Sequence, residues 1–170
     1  AVKYGADKWG KHHYTPVYYD LFKDKRESVK KVLEIGVGEG ASLFMWQDFF
    51  PNAQIYGFDN DHGRVKLDSW LERQIFVFEG DQGKSKDLRE LYEKTGKDVD
   101  IVIDDGSHKV EHQLFTCIMS MRYLKKDTLY IIEDVADDQL SSLLDMFSVE
   151  EVRCGKRYDD RLIIVRHKNG

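Results

Sequence analysis

Short apolar runs alternate along this chain with stretches of helical periodicity. Residues 32–36 (Val-Leu-Glu-Ile-Gly) read as a buried strand, and 42–50 as the helix that follows. A second strand is predicted over 54–59, a helix over 65–71 and a third strand over 74–78. Residues 86–95 place Leu88, Leu91 and Tyr92 at helical spacing, and Gly96 sits where that helix should stop. The fourth strand is predicted over 99–103, a long amphipathic helix over 111–124, the fifth strand over 129–132 and a last helix over 139–147. Two more strands, 149–153 and 162–165, close the chain without a helix between them.

Strand and helix alternating, with continuous β-branched runs, imply a mostly parallel sheet with helices on both faces. The last two strands are joined too tightly for a crossover and should pair as an antiparallel C-terminal hairpin. Five βα units and a hairpin make an α/β, Rossmann-like, seven-stranded sheet of the class I methyltransferase topology. A plain Rossmann dehydrogenase would carry a sixth parallel strand. The first residues differ in texture, with Tyr4, Trp9, His12, His13, Tyr14, Tyr18 and Tyr19 set in a polar segment. A helix over 16–22 is expected there, with Thr15 as N-cap and Pro16 at the first helical position. The expected organisation is an N-terminal segment, 1–28, ahead of a single domain, 29–170.

Composition narrows the function. The 170 residues are 41% hydrophobic, enough to fill one core. A net charge of −5 without a basic cluster argues against a nucleic-acid partner. The two cysteines, Cys117 and Cys154, form no CxxC pair and read as small core residues of a reducing compartment. No apolar run reaches the length of a membrane span and no signal peptide opens the chain, so the expectation is a cytoplasmic protein without a membrane partner.

The sequence Glu34-Ile35-Gly36-Val37-Gly38-Glu39-Gly40 lies between a predicted strand and helix. Glycines there permit a tight turn and close approach of backbone to a ligand, which then meets the amides at the helix N-terminus. Asp59 follows Gly40 by nineteen residues and ends the second strand, where its carboxylate can accept from ribose hydroxyls. Both features fit a nucleoside-containing cofactor without choosing it, because Gly36, Gly38 and Ala41 also satisfy a relaxed dinucleotide fingerprint. Asp81, with Gln82 beside it, ends the third strand where a polar side chain can meet an adenine amine.

The fourth strand ends Asp104-Asp105-Gly106-Ser107-His108 and the fifth Glu133-Asp134. Four acidic groups converging at one rim repel one another unless a cation sits among them. Hard oxygen donors suit Mg²⁺, with Mn²⁺ or Ca²⁺ as substitutes. His108, three residues after Asp105, is placed to take a proton from a hydroxyl that such a cation acidifies.

Together the segments Lys3-Tyr4-Gly5-Ala6-Asp7-Lys8-Trp9, His12-His13-Tyr14-Thr15-Pro16, Glu34-Ile35-Gly36-Val37-Gly38, Asp104-Asp105-Gly106-Ser107-His108 and Ile132-Glu133-Asp134 carry a resemblance over nearly the whole chain. The sequence resembles the metal-dependent sugar O-methyltransferases of natural-product pathways, the mycinamicin-type 6-deoxysugar enzymes, and is similar in motif to the cephalosporin hydroxylase-like family. The resemblance implies an S-adenosylmethionine- and Mg²⁺-dependent O-methyltransferase acting on a sugar or glycoside hydroxyl. Asp105, Glu133 and Asp134 would be the metal ligands, and His108 with Asp105 the catalytic pair. S-adenosylmethionine would be held by Glu34, Gly36, Gly38, Asp59, Asn60, Asp81, Gln82 and Asp104, with Tyr14 and Thr15 closing over it from the N-terminal segment. Catechol methyltransferases look similar at the site, since Asp105, His108 and Glu133-Asp134 match their spacing as well. Members of the macrolide-sugar family are longer, so a domain from a larger glycan-building chain, fused to glycosyltransferase domains, is also expected. A catechol-like acceptor, an NAD-dependent oxidoreductase and a non-catalytic cofactor-binding module remain the competing readings.

Overall fold

The computed structural model describes residues 1–61 and 74–168. The helix expected over 65–71 lies outside the described residues. A short 3-10 turn, Val2–Tyr4, precedes α1 (Thr15–Phe22), which starts one residue earlier than expected. Tyr14 rather than Thr15 occupies the cap position, and no side chain caps the helix; Pro16 lies in the first turn, where it has no amide to lose.

The parallel strands are β1 (Lys31–Ile35), β2 (Gln54–Asp59), β3 (Ile75–Glu79), β4 (Ile101–Asp104) and β5 (Leu129–Ile132). Between them run α2 (Ala41–Phe49), α3 (Ser85–Thr95) and α4 (Val110–Tyr123). The chain ends in α5 (Leu140–Leu143), β6 (Ser148–Arg153) and β7 (Arg161–Arg166). The seven strands form one sheet in the order β3-β2-β1-β4-β5-β7-β6, and β7 runs antiparallel to both its neighbours. The expected hairpin is therefore present, with its second strand inserted between the first and β5. Among the described residues no helix is long and apolar enough to cross a membrane.

Burial on both faces explains why the strands read as unbroken apolar runs. Val32, Ile103 and Ile131 point to the face covered by Phe22, Trp46 and Phe50 of the α1–α2 side. Leu33, Val102 and Ile132 point to the opposite face, against Leu88 and Leu91 of α3 and Met121 of α4. Helix α5 is one turn long instead of the expected 139–147. Ser141 and Ser142 are weak helix formers, and the Ser142 hydroxyl donates to the Gln139 carbonyl at 2.7 Å.

The strand order reverses between β1 and β4, and the crevice at such a switch point is where open α/β sheets bind ligands. Gly36 closes that crevice at its base. Its φ of +83° is left-handed, and a Cβ there would overlap the Asp105 carbonyl oxygen and the Gly106 Cα. Gly36→Ala should lower unfolding stability by at least about 2 kcal/mol in urea melts. A loss too small to measure would show that the turn after β4 does not depend on this approach.

Asp104 ends β4 fully buried, accepting from the Tyr130 hydroxyl at 2.8 Å and the Gln82 amide at 3.2 Å. Burial pushes its pKa up from 3.8 to about 7 against the pull of those donors. Because the folded value lies above the unfolded one, Asp104 favours folding in acid and loses that contribution as pH rises through about 7. Thermal melts should show Asp104→Asn gaining stability relative to the parent between about pH 4 and about pH 7. A constant difference across that range would contradict a protonated Asp104.

Candidate active site

A cleft of about 1000 Å³ opens over the carboxyl ends of the parallel strands. Much of its wall is built from the turns that follow the strands directly. Gly36 and Gly38 come from the turn after β1, and Asp59 and Asn60 from the end of β2. The Asp59 Oδ2 accepts from the amides of Val37 at 2.8 Å and Gly38 at 3.2 Å, tying the glycine turn to β2. Its Oδ1 accepts from the Asp61 amide at 3.0 Å and keeps further acceptor capacity.

Asp81 and Gln82 follow β3 and also line the cleft. The Gly83 amide donates to Asp81 Oδ1 at 2.9 Å and, with Lys84 at 3.3 Å, holds that carboxyl below its ordinary pKa. Gln82 braces the next turn: its Oε1 accepts from the Ser107 amide at 2.5 Å, while its amide nitrogen donates to Asp104 and to Thr116.

Four expected cofactor contacts lie elsewhere. Glu34 is buried beneath the turn, where Ser42 Oγ donates to it at 2.6 Å and Lys8 Nζ lies 3.1 Å away. It supports the glycine turn from below. Asp104 is equally deep, inside the sheet layer. Tyr14 is fully buried and donates to Asp134 Oδ1 at 2.6 Å, and Thr15 begins α1 behind it. What the N-terminal segment gives the cleft wall is Tyr4 to Asp7 and Lys11.

At the rim, Asp105, His108 and Asp134 each bring a ligand atom within 4.8 Å of the others. His108 is about half exposed, with Nε2 3.7 Å from Asp105 Oδ1 and Nδ1 3.5 Å from Asp134 Oδ2. The Asp105 carboxylate raises the imidazole pKa, burial opposes it, and Asp134 adds a further, smaller push upward. Burial works to raise the Asp105 pKa, but Lys8 and His108 bring it below the ordinary carboxylate value. Asp134 has a left-handed φ of 52°, a strained conformation for a residue with a side chain. Tyr14 holds it there from both sides, donating to its carboxylate and accepting from its amide at 3.2 Å.

Glu133 does not join this cluster. Its Oε1 and Oε2 accept from Lys8 Nζ at 2.8 and 2.9 Å, and the Tyr18 hydroxyl also donates to Oε1. The three carboxylates expected around one cation are thus split, with Asp105 and Asp134 at the rim and Glu133 beneath it. Lys8, Tyr18 and His12 had no assigned role in the sequence. His12 Nδ1 lies 2.8 Å from Asp160 Oδ1 and its ring stacks on Tyr14 at 5.0 Å, so the C-terminal hairpin also buttresses the rim. The only sequence signal for these residues was the position of Lys8 and His12 within the N-terminal motif.

Comparison with known proteins identifies the family. Residues 33–135 match the family described as a methyltransferase domain. The 8-demethyl-8-alpha-L-rhamnosyl tetracenomycin-C 2'-O-methyltransferase of Streptomyces olivaceus is 36% identical over 143 residues, covering 79% of this chain and 36% of its own. Mycinamicin VI 2''-O-methyltransferase of Micromonospora griseorubida is 38% identical over 142 residues, covering 78% of this chain and 34% of its own. This chain therefore spans little more than a third of either relative. The MycE methyltransferase of the mycinamycin biosynthetic pathway, solved with Mg and SAH, superposes with a TM-score of 0.77 at 30% identity, over 97% of this chain and 52% of that one. On this evidence the chain belongs to the class I S-adenosylmethionine-dependent methyltransferases and is related to the sugar O-methyltransferases of the mycinamicin and tetracenomycin kind.

Proposed function

We propose that this protein transfers a methyl group from S-adenosylmethionine to a hydroxyl of a sugar or glycoside, such as a rhamnose, with help from a divalent cation. The observation that carries the reading is the Asp105–His108–Asp134 cluster on the wall of the cleft that the glycine turn closes. The donor chemistry fits Mg²⁺, because Asp105 and Asp134 bring hard carboxylate oxygens together beside His108. The glycine turn fits a nucleoside cofactor, because Asp59 keeps acceptor capacity where the turn opens. The acceptor class comes from the relatives, which are named for a rhamnosyl tetracenomycin and for mycinamicin VI.

Gly36, Gly38, Asp59, Asn60, Asp81 and Gln82 would hold S-adenosylmethionine, and Asp105 with Asp134 would hold the cation. The chemistry those groups supply when bound is an electrophilic methyl and a lowered hydroxyl pKa. Asp134 faces Nδ1 of His108 and favours a proton there, while Nε2 faces Asp105 at 3.7 Å; with Asp105 committed to the cation, Nε2 would be the atom that accepts the proton of the acceptor hydroxyl. Tyr14 keeps Asp134, and through it the ring, in one orientation. The segment 1–28 forms part of the cofactor cover, a role supported by Tyr4 to Asp7 and Lys11 on the cleft wall.

Calorimetry in Mg²⁺ should give heat with S-adenosylhomocysteine and none with NAD; binding of NAD alone would favour an oxidoreductase instead. With a rhamnosyl glycoside as acceptor, His108→Ala should lower kcat by about 10²–10⁴-fold while leaving S-adenosylhomocysteine affinity nearly unchanged. Retention of most of the rate would remove His108 as the base. A chelator should stop turnover and added Mg²⁺ restore it; full activity in chelator would take the cation out of the reaction.

A further inference from the structure

Lys8 is the most enclosed cation of the described residues that touches the site, with 1% of its surface exposed. Its ammonium meets carboxylates from the ends of three adjacent strands. Asp105 Oδ2 lies at 2.9 Å, Glu133 Oε1 and Oε2 at 2.8 and 2.9 Å, and Glu34 Oε1 at 3.1 Å. The Trp46 ring closes the pocket 5.9 Å away. One ammonium thus serves three buried or half-buried acids, and Asp105 is shared between it and the rim, with Oδ1 turned toward His108.

We propose that Lys8 is a resident counter-ion that competes with the divalent cation for Asp105 and Glu133, and so sets how tightly the rim binds metal. This rests on the functional reading above and concerns how its metal site is tuned. The argument is electrostatic. A fixed positive charge in direct contact with Asp105 opposes a second cation on the same carboxylate, most strongly where water is excluded. The same ammonium occupies both oxygens of Glu133, the acid that the sequence places next to Asp134. While Lys8 holds it, Glu133 offers little to a metal. Losing the charge would leave three acids with no buried cation between them, an arrangement that favours a divalent ion in its place. Lys8 is thus a positioning residue: it acts through Asp105 and Glu133 and touches no reacting atom.

The test titrates MgCl₂ alone, by calorimetry, into the parent chain and into Lys8→Met and Lys8→Arg. Lys8→Met keeps the volume and removes the charge, and should bind Mg²⁺ at least about tenfold more tightly than the parent. Lys8→Arg keeps the charge and should stay close to the parent. A lysine that served only to hold the fold would give the reverse, a Lys8→Met chain that binds Mg²⁺ no better or worse, and that result overturns the proposal. So would absence of Mg²⁺ binding in both parent and variant.

Should Lys8→Met not fold, the parent decides the matter. The slowly exchanging ammonium of Lys8, followed by ¹H–¹⁵N NMR, should shift or broaden as Mg²⁺ is added. An unmoved signal at saturating Mg²⁺ overturns the competition. S-adenosylhomocysteine titrations on the same samples report the cofactor reading separately: normal S-adenosylhomocysteine binding with unchanged Mg²⁺ affinity in Lys8→Met defeats this inference alone.

Discussion

Three acids from adjacent strand ends share one ammonium that is itself almost wholly buried. Glu34, Asp105 and Glu133 follow from the sheet itself, because β1, β4 and β5 lie side by side and run the same way. A carboxylate buried without a partner is strongly unfavourable, so the sheet in this form demands a cation beneath its crevice. Lys8 supplies it, and the N-terminal segment has to cross the strand ends to do so. The segment is consequently part of the domain's interior. Once Lys8 is seated, Tyr14 reaches Asp134, Tyr18 reaches Glu133, and His12 reaches Asp160 of the terminal hairpin.

That arrangement separates support from chemistry. The groups that face the cleft, Asp105, His108 and Asp134, are each held by another residue, and for Asp105 and Asp134 that partner lies outside the cleft wall. Lys8 fixes one oxygen of Asp105, Tyr14 fixes Asp134 in its left-handed conformation, and Gln82 fixes the turn that leads to His108. A site whose side chains are held to within a fraction of an ångström needs such backing, since the strand ends alone leave side-chain rotamers open. The same division explains why Glu34 and Asp104, which stand beside motif residues in the chain, are found underneath the cleft.

The sheet was legible because its strands are buried on both faces and so appear as continuous apolar runs. The rim acids and His108 were legible because they follow those runs immediately. What stayed hidden depends on side-chain direction. Glu133 and Asp134 are neighbours of the same chemical type, yet one turns under the sheet and the other into the cleft, and only the position of Lys8 and Tyr14 decides which. Lys8 itself reads as one more charge in a polar segment, with no periodicity to mark it as buried. Helix α5 shortened for a local reason, two adjacent serines of weak helix propensity, with the Ser142 hydroxyl bonded to the backbone. The start of α1 moved by one residue, the usual uncertainty of a helix boundary.

The contacts that complete the rim join opposite ends of the polypeptide. Lys8 and Glu133 are 125 residues apart, and His12 and Asp160 are 148 apart. Loops of that length close late and slowly in folding, and on a ribosome the first partner emerges long before the last. Lys8 and His12 therefore gain their acids only once the segments that carry Glu133 and Asp160 are in place. Completion of these contacts needs the chain through Asp160, so a product that stops short of the turn between β6 and β7 would leave His12 without its acid.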